Sequence, residues 1–384
     1  MPVDTIKDRI APYLGKDVRK VFFYWKGRVA LYALLKAIGV EEGDEVILPA
    51  YTCVVVPNAV LYLGAKPVYV DVSTKTYNMD IEAVSAAISD RTKVIICQNT
   101  YGLSSDLGEL KDIAAENGLY TIEDCTHGFG GQYQGTPNGL SCDAAFFSTQ
   151  WNKPFSTGIG GFAITNNETL ANRLSTLQND LVTPSPKELI NLRVLYFVRH
   201  YLINDVTYWP LVRLYRWLSK NNIVVGSSSG EEISSVTMPE SYLKAFSNLQ
   251  AKEGARTLAM LAGDLDKRKK NARLYNQILI EAGKSHVADD LFDDHSFLKY
   301  PLLVKNRDKF MALAEKSRVL LGEWFLTPLH PVKGDLSAWG YEYGKYPVAE
   351  YLAEHVVNLP TTPSDVKRVV AFLEGNMDEI VDSD

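Results

Sequence analysis

Cysteine is scarce in this sequence of 384 residues, and basic charge is not in excess. The four cysteines (Cys53, Cys97, Cys125 and Cys142) are too scattered for a disulfide framework or a Cys-x-x-Cys metal site. The 40 lysines and arginines are outnumbered by 46 aspartates and glutamates, which gives a net charge of −6. A mildly acidic chain has no overall electrostatic attraction to nucleic acid, so no nucleic-acid partner is expected. Residues 1–9 lack an apolar signal core, so we expect a cytoplasmic protein with reduced thiols.

One uncharged run, Val46–Ala65, is as long as a membrane span. Pro49, Pro57 and Gly64 interrupt it, so a buried strand followed by a turn and a buried helix explains it better. The remaining composition, 46% apolar and 22% charged residues, is that of a globular protein. It excludes a disordered or low-complexity chain.

The first half of the chain alternates between apolar strand-like runs and amphipathic helical patterns. Such alternation indicates a mostly parallel sheet wrapped by helices. The predicted strands are Glu45–Pro49, Lys66–Val72, Lys93–Asn99, Tyr120–Cys125, Asp143–Thr149 and Gly161–Thr165. The predicted helices are Val29–Ile38, Val54–Leu63, Ile81–Ile88, Asp106–Gly118 and Glu168–Leu177.

A long helical pattern at Leu249–Ala282 leads into a second, α+β portion. That portion contains a predicted strand, Leu298–Val304, and two predicted helices, Arg307–Ser317 and Val366–Gly375. We therefore expect a large domain at residues 1–250 and a small one at 251–384.

Three stretches carry residues suited to chemistry, and each also has an ordinary interpretation. Gly27 and Arg28 stand where a helix begins, which is either an anion site or a plain N-terminal turn. Asp124 ends an inner strand, as a turn residue or as a buried carboxylate that needs a cationic partner. Lys153 follows an apolar strand and precedes a glycine-rich turn, where it is either solvated or desolvated enough to form a Schiff base. Together they match what pyridoxal phosphate requires: a phosphate cradle, a carboxylate for the ring nitrogen and a lysine for the aldehyde.

With these residues in place, the sequence resembles the DegT/DnrJ/EryC1/StrS family of sugar aminotransferases. The resemblance covers about residues 26–180 and 238–375. It implies an α/β, aspartate-aminotransferase-like fold of type I, with a mostly parallel seven-stranded sheet and a smaller C-terminal α+β domain. The matching stretches are Gly43–Pro49, Gly64–Val72, Ile122–Asp124, Phe147–Ser148 with Lys153, Gly160–Gly161, Tyr346–Glu350 and Asn358–Pro360.

The resemblance also implies roles for single residues around the cofactor pyridoxal 5'-phosphate. Lys153 resembles the lysine that binds the cofactor covalently and moves the substrate proton. Asp124 resembles the carboxylate that keeps the pyridine nitrogen protonated, and His127 stands where the family has glutamine or histidine beside the ring. The expected ligands of the phosphate are Ser148, Gly27 and Arg28.

At several positions the chain departs from the family pattern. Arg28 replaces a small hydroxyl residue, and Cys53 replaces an aromatic residue that stacks on the ring. We expect Tyr51 or another aromatic side chain to cover that face, or the face to be less covered. Residues 234–238 replace an asparagine-bearing segment that reaches the neighbouring subunit. Trp324 and His330 are the candidate substrate residues, where the family has a histidine.

The connection at residues 183–237 is longer than the family's usual one. Residues 187–220 are rich in aromatic residues and carry six lysines and arginines against two acids, a local charge of +4. Three interpretations fit a basic aromatic helix pair in this segment. The pair packs on the main domain or a dimer interface, it lies on a membrane surface, or it binds an anionic nucleotide sugar. The loop at Ser227–Gly230 is expected to be a lid.

The resemblance favours transfer of an amino group, from glutamate, to a nucleotide-linked keto-deoxysugar. Surface-polysaccharide and secondary-metabolite sugar synthesis are both compatible with it, and a homodimer is expected. The alternatives are a deoxysugar dehydratase, which Lys153 disfavours because the family's dehydratases carry histidine there, and a non-catalytic cofactor-binding protein.

Overall fold

The computed structural model describes residues 3–15, 20–202, 207 and 230–383. The strands in these ranges are β1 Val21–Tyr24, β2 Glu45–Pro49, β3 Thr52–Cys53, β4 Lys66–Val70, β5 Thr92–Gln98, β6 Tyr120–Asp124, β7 Gln132–Tyr133, β8 Thr136–Pro137, β9 Ala144–Ser148, β10 Gly161–Thr165, β11 Tyr300–Leu303, β12 Leu329–His330 and β13 Val356–Leu359. The α-helices are α1 Asp4–Leu14, α2 Gly27–Ile38, α3 Val55–Leu61, α4 Ile81–Ala87, α5 Leu107–Glu116, α6 Glu168–Asn179, α7 Pro186–Phe197, α8 Gly230–Ser234, α9 Asn248–Leu258, α10 Leu261–Glu281, α11 Arg307–Lys316, α12 Pro347–His355 and α13 Val366–Glu374.

Seven strands form one sheet in the order β1-β10-β9-β6-β5-β2-β4. The neighbours from β9 to β4 run parallel, whereas β10 and β1 are antiparallel at one edge. Every residue of β2 and β10 is buried, as expected for strands covered by helices on both faces. The predicted α/β class and seven-stranded, mostly parallel sheet are confirmed.

The sequence prediction missed α1, β1 and the short strands β3, β7 and β8, and it merged two helices into one. Strand β1 was not predicted, because it has four residues at a sheet edge and follows no strong turn signal. The long pattern at Leu249–Ala282 is two helices, because α9 packs on α1 while α10 contributes to a different hydrophobic core. The run Val46–Ala65 folds as β2, β3, α3 and the short segment that leads to β4. No helix in the described ranges is long and apolar enough to cross a membrane.

The C-terminal portion builds a second core around the antiparallel pair β11 and β13. Helices α10, α11 and α13 cover this pair through Tyr275, Phe310 and Phe372. Residues in β12 and α12 pack into the first core instead, and β12 pairs in parallel with β3. This pairing carries C-terminal side chains to the carboxyl edge of the large sheet. The domain boundary at residue 250 stays a prediction.

The described part of the insertion is α7 with one following π-helical turn, residues 198–202, and α8 with the chain after it. Leu192 and Tyr196 of α7 pack on Trp25 and Trp151. The Tyr196 hydroxyl donates a hydrogen bond to the Thr157 carbonyl at 2.6 Å. The predicted second helix of the pair and most of the predicted lid at Ser227–Gly230 lie outside the described residues.

Candidate active site

The side chains that the sequence analysis selected surround one pocket at the carboxyl ends of the parallel strands. Strand β6 ends at Asp124 and β9 ends at Ser148, so both side chains reach the edge where α/β proteins bind ligands. The pocket brings together predicted residues from five parts of the chain. The predicted residues that line it are Gly27, Arg28, Cys53, Asp124, His127, Ser148, Lys153, Trp324 and His330.

The start of α2 lies directly against β9 and β10. The helix begins at Gly27 rather than at Val29, and no side chain caps its first turn. A Cβ atom on Gly27 would lie 2.9 Å from the Ser148 Cβ, and one on Gly161 would lie 2.3 Å from the Gly27 Cα. Both positions therefore require glycine. An uncapped helix start beside a serine hydroxyl fits a phosphate group, because the first-turn N–H groups and the helix dipole favour an anion.

Arg28 forms a buried ion pair that the sequence analysis did not foresee. Its Nη1 lies 2.6 Å from Glu232 Oε2, and the Lys26 Nζ lies 3.7 Å from the same oxygen. Burial opposes the charge of Arg28, but the Glu232 carboxylate outweighs burial and raises the pKa of the guanidinium. Glu232 was missed because it comes from the insertion, far from Arg28 in sequence. A contact between Arg28 and phosphate stays a prediction.

Asp124 and His127 offer complementary hydrogen-bonding groups. Asp124 accepts the Thr126 N–H at 2.9 Å, and burial raises the pKa of its carboxyl group. A cation such as a protonated pyridine would stabilise the ionised form. His127 Nδ1 accepts the Tyr101 N–H at 3.2 Å, and burial holds the pKa of His127 well below its usual range. The imidazole is therefore neutral, with its proton on Nε2, where it can donate a hydrogen bond.

Lys153 has the properties of a lysine that can react as a free amine. Burial lowers its pKa to about 8, although the neighbouring Asp124 and Cys53 raise it. The lowered pKa increases the fraction of this amine that is unprotonated near neutral pH and able to attack an aldehyde. Its Nζ lies 4.5 Å from the centre of the Trp324 ring.

Trp324 is one of the aromatic side chains that line the pocket together with Cys53. Its ring stacks on His127 with the centroids 4.7 Å apart and the planes inclined by 4°. Tyr51, one of the predicted alternatives, does not line the pocket. Its hydroxyl lies 2.7 Å from the Tyr101 hydroxyl and accepts the Phe325 N–H at 3.2 Å, so it is held in the core.

The predicted substrate residue His330 is also neutral. It lies at the end of β12 opposite Cys53, and its Nδ1 accepts the Leu326 N–H at 3.1 Å. Burial, with the charges of Arg307 and Lys153, lowers the pKa of His330 to about 3. A role in substrate binding stays a prediction.

Two further residues, one lining the pocket and one beside it, escaped the sequence analysis. Gln98 ends β5 in the pocket floor and donates to the Tyr51 carbonyl at 3.0 Å and the Thr100 hydroxyl at 2.9 Å. Its position at a strand end was the available signal. Lys299 lies with its Nζ 5.4 Å from the centre of the Trp324 ring. Its signal was an isolated charge in the apolar run Phe297–Val304.

The mixed sheet, the uncapped helix start, the buried aspartate and the lysine of lowered pKa together define a pyridoxal-phosphate enzyme of fold type I. The sequence profile of the DegT/DnrJ/EryC1/StrS aminotransferase family matches residues 3–188 and 235–374. The chain belongs to this family, whose cofactor is pyridoxal 5'-phosphate. The prediction of family, fold type and cofactor is thus confirmed.

Similar proteins include two named GDP-perosamine synthases. The one from Escherichia coli O157:H7 is 40% identical over 147 residues, which are 38% of this chain and 40% of that protein. The one from Caulobacter vibrioides is 29% identical over 369 residues, which are 91% of this chain and 83% of that protein. Among solved structures, NtdA from Bacillus subtilis with bound cofactor PMP has a TM-score of 0.72 and 23% identity. That alignment covers 99% of this chain and 78% of NtdA.

Proposed function

We propose that this aminotransferase moves an amino group from glutamate to the ketone of a nucleotide-linked keto-deoxysugar. The observation that carries the proposal is Lys153, an amine of lowered pKa in the pocket that also contains Asp124 and the uncapped helix start. The lysine also argues against the dehydratase alternative. A non-catalytic cofactor-binding protein would not need an acid, a reactive amine and a phosphate cradle together.

Bound pyridoxal phosphate supplies an electron sink for the carbanion left when a proton leaves the amine-bearing carbon. In our proposal Asp124 would keep a proton on the ring nitrogen, and His127 would offer its Nε2–H to the bound cofactor. Lys153 would hold the cofactor through its aldehyde, and the free amine of Lys153 would carry the proton at the donor carbon. The N–H groups at the start of α2 and the Ser148 hydroxyl would hold the phosphate.

The proposal is tested by the visible absorption of the purified protein loaded with pyridoxal phosphate, before and after glutamate. We expect the band of the lysine-bound cofactor to bleach, with one 2-oxoglutarate formed per cofactor. A second stage adds candidate keto-sugars and follows return of the band. A band that no amino donor bleaches would contradict the aminotransferase proposal.

The names of the relatives guide the choice of acceptor. Both GDP-perosamine synthases make a GDP-linked product by name, so GDP-linked keto-deoxysugars are the first to try. The chain spans less than half of the Escherichia coli relative and most of the Caulobacter one. A role in surface-polysaccharide or secondary-metabolite sugar synthesis remains part of the proposal.

We also propose a homodimer in the cytoplasm, as the family resemblance implies. Each of the four cysteines is a free thiol in the structure, in keeping with a reducing compartment. Light scattering of the loaded enzyme tests the dimer, since a mass near 42.8 kDa would contradict it.

The insertion offers a surface for which we propose contact with an anionic membrane. Ile190, Val194, Phe197 and Tyr201 recur at helical spacing along α7 and the following turn, and each is more than half exposed. Basic residues accompany this stripe within a chain of net charge −6, which complements an anionic surface. Two copies paired through the stripe would bring like charges together, because a twofold interface sets the same surface against itself.

Co-sedimentation with vesicles of phosphatidylcholine and phosphatidylglycerol tests this contact. We expect binding that rises with the anionic lipid and is lost in the variant Ile190→Ser with Phe197→Ser. Ile280→Ser with Leu320→Ser, two exposed apolar residues outside the stripe, is the control. No binding by the wild-type enzyme, or a dimer that dissociates in the double variant, would overturn the membrane contact.

A further inference from the structure

A second pair of cations lies beside the segments that carry Lys153 and Trp324. Lys299 directly precedes β11, and its Nζ lies 5.4 Å from the centre of the Trp324 ring. Arg268 of α10 is 6% exposed. Its Nη2 donates to the carbonyl of Pro154, the neighbour of Lys153, at 3.2 Å. The two cations therefore flank the segment that carries the reactive lysine and the ring that lies against it.

Neither cation is neutralised by the part of the chain that the structure describes. No ion pair within 4 Å joins Lys299 or Arg268 to a carboxylate among those residues, in contrast to Arg28 and its partner Glu232. The Nη1 of Arg268 is buried without a hydrogen-bond partner there. A buried guanidinium with an unsatisfied donor is costly unless an anion compensates it.

The titration behaviour of both groups agrees with this geometry. Burial lowers the pKa of Lys299 to about 8, and the charge of Arg268 lowers it further. Burial also lowers the pKa of Arg268 to about 10, with Asp264 opposing. A bound anion would raise both values, so anion binding and protonation of Lys299 favour each other.

We propose that Lys299 and Arg268 form a subsite for an anionic group of the substrates, distinct from the phosphate cradle at the start of α2. The group is a carboxylate of the amino donor or the diphosphate of the nucleotide sugar. Both substrates must reach Lys153 in turn, so one cationic subsite beside Trp324 can orient either of them. The inference rests on the proposed function for the identity of the substrates, but not for the existence of the anion site.

Calorimetric titration of the loaded enzyme at pH 7.0 tests the subsite with two unreactive probes. Glutarate has the two carboxylates of the donor without its amine. GDP has the nucleoside diphosphate of the acceptor without its keto-sugar. The variants are Lys299→Met, Lys299→Arg and the control Lys305→Met, an exposed lysine just beyond β11. Loss of a charge-assisted contact is expected to weaken binding of one probe roughly 10- to 100-fold. Arginine at this position should keep the affinity within about threefold, and the control should leave it unchanged.

The probe that loses affinity identifies the source of the anion, glutarate for the donor and GDP for the acceptor. Unchanged affinity for both probes in Lys299→Met, with the cofactor band intact, would overturn the subsite. If the methionine variant fails to load cofactor, Lys299→Gln repeats the test with a polar side chain of similar length. A wild-type enzyme that glutamate does not bleach, but whose probe binding depends on Lys299, would refute the proposed function and leave the anion site standing.

Discussion

Lys153 and Lys299 lie against the same indole ring, that of Trp324, at 4.5 and 5.4 Å from its centre. Burial lowers the pKa of each to about 8. Their surroundings differ, because Asp124 raises the pKa of Lys153 whereas Arg268 lowers that of Lys299 further. Similar pKa values therefore suit different tasks. A lysine near an acid can exchange protons beside a cofactor. A lysine near a second cation is suited to binding an anion.

Among the variants that test this comparison, removal of the Lys153 amine should have the largest effect on the enzyme. Lys153→Ala should lose the visible band of the lysine-bound cofactor and at least about 10³-fold of turnover, since both covalent binding and proton transfer depend on the amine. Lys299→Ala is the matched control and should keep the band. A band of unchanged position and intensity in Lys153→Ala would show that Lys153 does not bind the cofactor, and its loss in Lys299→Ala would assign that role to Lys299.

The acid near Lys153 should matter next. Asp124→Asn keeps the shape of the side chain but removes the charge that stabilises a protonated ring nitrogen. We expect the variant to load cofactor and to transfer amino groups roughly 10- to 100-fold more slowly, the equivalent of one charge-assisted hydrogen bond. Single-turnover bleaching by glutamate measures the rate. Wild-type turnover in this variant would remove the main difference between the surroundings of the two lysines.

The cofactor end of the pocket should also be less tolerant of added volume than the helix that carries Arg268. In Gly27→Ala the new Cβ would lie 2.9 Å from the Ser148 Cβ, so β9 or α2 must shift. We expect a loss of about 1–3 kcal/mol in the free energy of unfolding and weaker retention of cofactor. Gly263→Ala in α10 is the control, because no heavy atom lies within 4 Å of its new Cβ and alanine favours helix. Denaturant unfolding, with and without cofactor, compares the two, and equal stabilities would argue against a tightly packed cradle.

The difference between the two lysines also marks how far sequence reasoning could go. Apolar runs and strand ends located Asp124, Ser148 and Lys153, because a parallel sheet brings the carboxyl ends of its strands to one edge. The bounds of β2 and β10 were predicted to the residue. These features depend on patterns within about ten neighbouring residues.

What the sequence could not give are contacts between distant segments. The stacking of Trp324 on His127 and the pairing of Arg28 with Glu232 join residues far apart in the chain, and no local pattern encodes either. Lys299 was visible as an isolated charge in an apolar run. The three-dimensional structure was needed to show that Lys299 has no carboxylate partner among the described residues.

The smallest expected effect concerns the charge that each lysine imposes on the other. Only the neutral amine of Lys153 can attack the cofactor aldehyde, so the rate of reloading cofactor-free enzyme with pyridoxal phosphate should rise with pH and level off above about pH 8. The positive charge of Lys299 is one of the causes that lower the pKa of Lys153. Lys299→Met should therefore move the midpoint of this profile to higher pH, by less than about one unit. Lys305→Met removes an exposed lysine and should leave the midpoint in place, which controls for the change in net charge and for the ionisation of pyridoxal phosphate itself. A midpoint that stays fixed or moves to lower pH in Lys299→Met would mean that the charge of Lys299 does not lower the pKa of Lys153 in the cofactor-free enzyme.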